Sequence, residues 1–308
     1  MPPANPQVPW TEEQWTRVET LVQQEAGRAR VAATFLPLYG PLPPDADFVA
    51  ADSIQYVPQG DKKHQRMTID DVHTVRLATL QVRVFLRGAQ MADPDMTSVL
   101  ALFRRAANVL ARLEDAVVFN GLEGTNQGPA HGVEGLPAIW DVLGGQRHRG
   151  LLRTAGSELA DPLSELEPKP VVLKGNTPAA LGEDAVGKIS EAIGRLEARG
   201  HFGPFALVLD QAFFTAVQTP NKDSLVLPQD RILPFLGEGG SLLRSSTLPG
   251  NSGVVVALGG APVELVVATD VTCGFLQVTP DPMYVFRVYE KMVLRIKEPG
   301  AIVSLAKG

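Results

Sequence analysis

The first hydrophobic pattern in the chain predicts an amphipathic helix from about Thr11 to Arg30. Apolar residues recur there at spacings of three and four, which places them along one face of an otherwise polar helix. Gln14 follows Thr11 by three residues, the arrangement of an N-terminal capping box. The apolar stripe consists of Trp15, Val18, Leu21 and Val22.

A polar segment from Asp52 to Asp71 comes next, and a strand follows it. The segment has too few apolar residues to bury a face, so we expect it to project from the fold or to form a long hairpin. From Leu80 to Arg87 apolar and polar residues alternate, which predicts a strand with one buried face. The inward positions would be Leu80, Val82, Val84 and Leu86.

The longest helical pattern starts near Thr97 and continues to about Phe119, and we call it the spine helix. Gly121 is a suitable stop for it. Charged residues, among them Arg104 and Asp115, are expected off the apolar face. That face would consist of Val99, Leu102, Phe103, Ala106, Val109, Leu110, Leu113 and Val117.

The second half of the chain predicts a mixture of helices and short strands. A helix is expected from about Glu183 to Ala198, and a buried strand from Phe205 to Leu209 with Asp210 capping a short helix after it. Between Gly121 and Gly182 the periodicity is lost. β-Branched runs then predict strands at 254–258, 263–268, 284–288, 293–296 and 302–305. Together these elements predict an α+β fold of two intertwined lobes.

Composition and charge exclude several classes of protein. Hydrophobic residues make up 44% of the 308 residues, which is enough for a core and argues against a disordered chain. The single cysteine, Cys273, excludes a disulfide framework or a thiolate zinc site. The net charge of -6 argues against a nucleic-acid partner. Without a basic, apolar leader or a long apolar run, we expect no membrane contact and a cytoplasmic protein.

We find no pattern of residues that predicts catalysis, a metal or a cofactor. No two of the five histidines have the i, i+4 spacing of a helical metal site. Asn251-Ser252-Gly253 lacks the first glycine of a nucleophile elbow. Glu114 and Asp115 are adjacent on the spine helix, so their side chains point about 100° apart. Cys273 is expected to be a small buried residue. The sequence therefore predicts a protein that is not an enzyme.

Four separated blocks of sequence resemble a family 1 encapsulin, the shell protein of bacterial nanocompartments. Proteins of this family are similar in fold to the Hong Kong 97 (HK97) type of phage capsid protein. The order and spacing of the blocks extend over nearly the whole chain. They are TEEQW at 11–15 with YGPL at 39–42, EDAVVFNG at 114–121 with GVEGL at 132–136, GPFALVL at 203–209, and FRV at 286–288 with LRIKEP at 294–299 and AIV at 301–303.

The resemblance implies an HK97-like fold with four parts. Residues 1–45 would be the amino-terminal helix and its connection, and residues 46–88 the E-loop hairpin, an arm that pairs with a neighbouring subunit. Residues 89–121 and 266–308 would form the peripheral domain with the spine helix. Residues 122–265 would form the axial domain. About 30 extra residues within 137–176 depart from the family pattern, and we expect this insertion at the surface, as a decoration or an added subunit contact.

The resemblance also implies a function, the enclosure of a tagged cargo enzyme in an icosahedral shell of about sixty chains or a multiple of that number. Cargo would dock through a short terminal peptide on the inner wall, against Trp15, Val18, Val22 and Val285. The alternative is that this apolar stripe only packs the helix onto its own domain. The five-fold pore would be lined by Asn221, Lys222, Asp223 and Ser224. The alternative for this loop is ordinary solvent-facing surface.

Four further expectations follow from the resemblance. Some members bind a flavin through a tryptophan, but this chain has Phe85 or Arg87 in that stretch, so no cofactor is carried over. Cargo in the family includes iron-oxidising proteins, which leaves iron storage as one open role. A phage or prophage major capsid protein is the alternative within the same fold. From the enzyme class, a bacteriocin-like hydrolase remains the weaker alternative.

Overall fold

A computed structural model of the chain describes residues 8–59, 64–70, 72–123, 128–129, 133, 135–154, 170–221, 224 and 226–308. The helices are α1 (Glu12–Ala29), α2 (Ala32–Phe35), α3 (Gly88–Met91), α4 (Thr97–Asn120), α5 (Gly150–Thr154), α6 (Pro178–Ala198), α7 (Gln211–Val217) and α8 (Pro228–Ile232). The strands are β1 (Leu38–Tyr39), β2 (Phe48–Ala50), β3 (Ser53–Gln59), β4 (His64–Asp70), β5 (Thr74–Arg76), β6 (Ala78–Arg87), β7 (Trp140–Gly144), β8 (Val171–Leu173), β9 (Phe205–Leu209), β10 (Ser241–Arg244), β11 (Ser252–Ala257), β12 (Val263–Val278), β13 (Met283–Ile296) and β14 (Ile302–Lys307).

The first lobe is a five-stranded sheet covered by two helices. Its strand order is β1-β12-β13-β6-β7; the strands from β12 to β7 are antiparallel to one another, and β1 runs parallel to β12. The spine helix α4 packs against β6 and β13, and α1 packs against α4 and β12. Large side chains such as Phe103, Phe119 and Phe286 are fully buried between these layers. Burial of this apolar area is what holds the helices on the sheet.

The second lobe is another five-stranded sheet, with strand order β10-β9-β11-β14-β8. The strand β9 is buried along its whole length, because helices cover the sheet. The side chain of Asp210 accepts hydrogen bonds from the N–H groups of Ala212 and Phe213, which caps α7 as the sequence predicts. Thr177 caps α6, and Pro178 occupies its first turn, so this helix begins five residues before the predicted start at Glu183.

An arm extends from the first lobe as two short antiparallel ladders, β2 with β5 and β3 with β4. Neither ladder belongs to a five-stranded sheet. The hairpin expected between Asp52 and Asp71 is therefore present. The backbone bends between the ladders at Asp52, which has a positive φ of 49°.

Several predicted elements differ in the structure. The runs 284–288 and 293–296 belong to one long strand, β13. The strand β14, which the prediction places with 266–308 in the peripheral domain, pairs with β11 and β8 in the second sheet. On the spine helix, Leu102 is 40% exposed, while Asp115 is buried. The charged residue lies inward because α2 offers it hydrogen-bond donors.

The expectation that the insertion within 137–176 is a surface loop is wrong for both of its ends. Strand β7 adds to the edge of the first sheet beside β6, and β8 adds to the second sheet beside β14. In α5, between them, Leu151 is fully buried. Residues 155–169, in the middle of the predicted insertion, lie outside the described residues.

Within the described ranges, none of the helices combines the length and apolar character needed to cross a bilayer.

Candidate functional site

The helix α1 begins as the sequence predicts. The N–H of Gln14 donates to the Thr11 hydroxyl, and the N–H of Thr11 donates to the Gln14 side chain. This reciprocal pair satisfies two backbone donors that the first turn of a helix leaves free. The N-terminal end of α1 is therefore capped by Thr11 and Gln14, and the residues before Thr11 are not needed for this cap.

The four predicted cargo contacts lie in different environments. Val18 and Val22 are fully buried in the core beneath α1, so they offer no surface to a peptide. Trp15 is half-buried at the edge of that core. Val285 is buried, but it alternates with Phe286 along β13 and so projects from the opposite face of the sheet. It is Phe286 whose ring faces α1, with its centroid 5.8 Å from that of Trp15.

An aromatic cluster fills the space between the start of α1, the spine helix and β13. The Trp10 ring stacks on Phe286 with 4.8 Å between centroids, and it meets Trp15 edge-on at 5.1 Å. Phe103 of α4 and Phe275 of β12 approach Phe286 edge-on at 5.6 and 5.4 Å. Such offset and edge-on pairs are the preferred packing of aromatic rings.

An open groove of about 830 Å³ runs between α1 and the spine helix. Leu21 and Leu100 are half-buried in it. Two exposed arginines, Arg17 and Arg104, stand on its walls together with the acidic first turn of α1. We name it the α1–α4 groove. A groove with an apolar floor and charged walls is suited to binding apolar side chains of a partner, with charged groups at the rim.

A buried charged cluster anchors the C-terminal end of α1 to the two layers beneath it. The Arg30 Nε lies 3.3 Å from Glu114 of the spine helix, and its Nη2 lies 3.0 Å from Asp270 and 3.8 Å from Glu290. Burial raises the pKa of the Glu290 carboxyl well above its usual range, and the adjacent Glu114 raises it further. Burial also raises the pKa of Glu114, and Arg30 offsets part of the rise. A proton held between the two carboxyls would remove their repulsion.

Asp115, the next residue of the spine helix, holds the turn between α1 and α2. Its carboxylate accepts hydrogen bonds from the N–H groups of Val31 at 3.0 Å and Ala32 at 2.7 Å. Glu114 and Asp115 thus point in different directions, as the helical angle requires, and each is used by a different partner. Neither is arranged with the other around a substrate-sized space.

The base of the arm is tied to the first sheet through the buried Arg295. Its Nε donates to Glu264 at 2.6 Å, and its Nη1 donates to the Asp52 carboxylate at 2.7 Å and to the Ala50 carbonyl at 3.0 Å. The guanidinium also stacks over the Tyr39 ring at 4.3 Å. A planar guanidinium can satisfy several acceptors at once in this way, so Arg295 is one of the contacts that tie the base of the arm to the lobe, together with the Lys291–Asp47 ion pair.

The predicted pore loop lies between α7 and α8. Asn221 and Ser224 are half-buried there, and the Ser224 hydroxyl donates to the Val226 carbonyl at 3.2 Å. Lys222 and Asp223 lie outside the described residues. The field that this loop would present at a pore therefore remains a prediction.

Among the described residues, no group of three or more His, Cys, Asp or Glu side chains is placed to hold a metal ion. Cys273 is buried, and burial raises the pKa of its thiol to about 12. A thiol with so high a pKa has almost no reactive thiolate at neutral pH. The side chain behaves as the small apolar residue that the sequence predicts.

Sequence reasoning missed Glu290, Arg295 and Trp10, although the first had a readable signal. Glu290 occupies an inward position of the period-two pattern that runs through Phe286 and Val288. Glu114 likewise follows Leu110 by four residues on the buried stripe of the spine helix. A charged residue at such a position predicts a buried ion pair, because an unpaired buried charge is too costly.

The comparisons with known proteins fit this architecture. A family model described as an encapsulating protein for peroxidase matches residues 4–137 and 168–293, which is most of the chain. The chain therefore belongs to this family, the encapsulins. The unmatched residues 138–167 fall within the predicted insertion.

Individual relatives agree with the family match. The type 1 encapsulin shell protein EncA of Myxococcus xanthus is 28% identical over 306 residues, 96% of this chain and 93% of that protein. The virus-like particle from Pyrococcus furiosus has a TM-score of 0.61 at 16% identity and covers 95% of this chain and 99% of its own. The holo-SrpI encapsulin complex from Synechococcus elongatus has a TM-score of 0.53 at 11% identity, with 89% of this chain and 86% of its own covered.

These findings confirm the predicted HK97-like α+β fold and the predicted family. The chain is an encapsulin shell protein and, like the shell proteins it matches, self-assembles into multimers.

Proposed function

We propose that this chain forms a closed icosahedral shell, in about sixty copies or a multiple of that number, around a cargo enzyme that carries a short terminal targeting peptide. The role is structural, with no active site in the shell subunit itself, and the compartment lies in the cytoplasm. Membership of the encapsulin family supports this assignment over a phage or prophage capsid protein, which shares the fold.

The observation that carries assembly is the arm. Met67 and Ile69 stand on one face of β4 and are 68% and 60% exposed, and Val72, two residues beyond the end of that strand, is 82% exposed. These side chains have no core in their own chain. An exposed apolar face on a two-stranded ladder is stabilised when a neighbouring subunit covers it. The same contact repeated around symmetry axes closes a shell.

Cargo docking is supported by the surroundings of α1. Of the four predicted contacts we keep Trp15, we replace Val285 with Phe286, and we assign Val18 and Val22 to the core beneath the helix. The α1–α4 groove adds accessible apolar surface at Leu21 and Leu100. A short peptide with apolar residues at helical or extended spacing could bury them there, which is a common mode of peptide recognition.

The pore residues Asn221, Lys222, Asp223 and Ser224 stay a proposal, and so does the division into arm, peripheral and axial domains. The two five-stranded sheets support two domains, with β14 contributed to the second sheet by the C-terminal end of the chain. Iron storage is one open role among the possible cargo activities.

Co-expression tests the proposal. The shell gene is expressed with a fluorescent protein that carries the C-terminal segment of an enzyme encoded beside it, and with the same fluorescent protein without the segment. We expect the tagged protein, and not the untagged one, to elute with the shell fraction in gel filtration. Shells that exclude every tagged protein tried would contradict the cargo proposal, while the shell itself would still be seen.

A further inference from the structure

The residues just before α1 are packed into the interior of the first lobe. Val8 is 6% exposed and Trp10 is 7% exposed. The indole of Trp10 enters the aromatic cluster, stacked on Phe286 at 4.8 Å and edge-on to Trp15 at 5.1 Å and Phe103 at 6.2 Å. We call the space that it fills, bounded by those three rings, the Trp10 pocket.

Burial of the Val8 and Trp10 side chains holds this segment in the lobe. Within the described residues, its backbone makes no hydrogen bond to the spine helix or to β13. The capping box between Thr11 and Gln14 completes α1 independently of it. The Trp10 Nε1 is buried and has no hydrogen-bond acceptor among the described residues. A buried donor without a partner costs free energy. The indole of Trp10 therefore matches the pocket in shape, but the described residues of the pocket offer no acceptor for its N–H group.

The Trp10 pocket adjoins the face on which cargo is proposed to dock. Trp15 and Phe286 belong to both. Some ligands bind only to chains in which an internal segment has left its pocket. The apparent affinity of such a ligand is then the intrinsic affinity multiplied by the fraction of chains that are open. The segment can leave as a unit at Thr11, because α1 stays capped.

We propose that Val8–Trp10 is a built-in occupant of the pocket that receives an aromatic or branched apolar side chain of the cargo peptide, and that loading displaces it. The proposal rests on the proposed function, since it assumes that a cargo peptide docks on this face. In an empty shell, Val8–Trp10 would then keep the aromatic cluster covered.

The test uses shells of the wild type, Trp10→Ala and Trp10→Phe that are disassembled and reassembled with a fluorescein-labelled peptide of this chain's residues 5–13, NPQVPWTEE. The reference peptide is NPQVPATEE. After gel filtration, we expect Trp10→Ala shells to retain at least tenfold more of the tryptophan peptide than wild-type shells. Trp10→Phe, which refills the pocket, should retain as little as the wild type, and no shell should retain the reference peptide.

Equal retention by wild-type and Trp10→Ala shells would overturn the proposal. A second readout uses only chains that keep an aromatic residue in the pocket, in case Trp10→Ala fails to assemble. Acrylamide quenching of tryptophan fluorescence is compared in empty and cargo-loaded wild-type shells, with Trp10→Phe as the blank. We expect loading to increase the quenching of the wild type and not of Trp10→Phe.

The outcomes separate this proposal from the cargo proposal. If wild-type shells take up tagged cargo and Trp10 quenching does not change, cargo docks elsewhere and the placeholder role is overturned while the proposed function stands. If no tagged cargo enters any shell while the tryptophan peptide is retained only by Trp10→Ala, the pocket accepts such a side chain and it is the cargo function that fails.

Discussion

At the scale of single residues, the most consequential feature is the carboxyl pair Glu114 and Glu290 beneath α1. One arginine, Arg30, serves both carboxyls and also Asp270. Asp115, another buried carboxylate of the spine helix, accepts hydrogen bonds from the backbone of the α1–α2 turn. The pair thus has one positive charge for two buried acids, which is why burial and mutual repulsion raise the pKa of Glu290.

Replacing Glu290 with glutamine should stabilise the subunit at alkaline pH. Because the pKa of Glu290 is higher in the folded chain than in the unfolded chain, the folded chain binds more protons, and stability falls as pH rises above about 4.3. Glu290→Gln removes that loss while keeping the shape of the side chain. We expect unfolding at pH 8 to require about 1–3 kcal/mol more, with the gain shrinking towards pH 4.5.

Chemical denaturation at several pH values measures this effect. Glu238→Gln is the matched control, since Glu238 is exposed, and it should change little at any pH. A Glu290→Gln protein that is less stable than the wild type by the same amount at every pH would contradict the shared-proton account.

At the scale of elements, the spine helix ends at a position that only glycine can occupy. Gly121 has a φ of 87°, and a Cβ there would overlap the carbonyl of His148 and the backbone at Gly150. The backbone of the insertion at His148 and Gly150 thus packs directly against the C-terminal end of the spine helix. Backbone atoms cannot move aside as a flexible side chain would.

Gly121→Ala should therefore destabilise the fold by about 3 kcal/mol or more. Gly187→Ala is a control of opposite sign, because Gly187 is exposed inside α6 with open space around it, and alanine there should stabilise by about 0.5–1 kcal/mol. Urea denaturation of the two variants compares them. Equal stability of Gly121→Ala and the wild type would show that the helix end is not constrained in this way.

The arm is the second element whose position depends on a few contacts. Asp52 lies at the bend between the two ladders and accepts a hydrogen bond from the buried Arg295. Asparagine tolerates the same positive φ but lacks the charge. Because Asp52 is partly exposed, we expect Asp52→Asn to cost only about 1 kcal/mol per subunit.

That cost is repeated in every subunit, so shells of Asp52→Asn should dissociate at lower guanidinium concentration than wild-type shells. Gel filtration across a guanidinium series measures the fraction that remains assembled. Asp45→Asn, an exposed change ahead of the arm, is the control. If both variants behave as the wild type, the Arg295 contact does not set the arm.

The periodic elements could be predicted from the sequence, and contacts between distant parts could not. The capping box at Thr11, the spine helix to Gly121 and the hairpin follow from local pattern, because neighbouring residues decide them. The pairing of β14 with β11 depends on tertiary packing, which leaves no local mark. Val285 and Phe286 face opposite sides of β13, because one residue along a strand reverses the face, and a periodicity count alone does not tell which of the two lies towards α1.

At the scale of the whole molecule, the single subunit exposes apolar side chains to water, which is unfavourable unless another chain covers them. Met67, Ile69 and Val72 on the arm form one such group. The net charge of -6 per chain favours solubility of multimers by repulsion at a distance. On our proposal, assembly depends on short-range burial at the arm.

Ile69→Lys should therefore block assembly and leave the subunit folded. The change places a charge at a contact that must be desolvated, whereas Ile69 contributes nothing to the core of its own chain. Thr68→Lys, one residue away on the other face of β4, is the matched control and should assemble. Light scattering gives the mass, and circular dichroism checks the fold; full shells from Ile69→Lys would contradict the role of this face.

The most direct test of assembly into a closed shell is negative-stain electron microscopy of the purified wild-type protein. An encapsulin shell protein should give uniform, closed, hollow spheres tens of nanometres across. A monodisperse monomer or dimer at micromolar concentration, with no spheres, would contradict it.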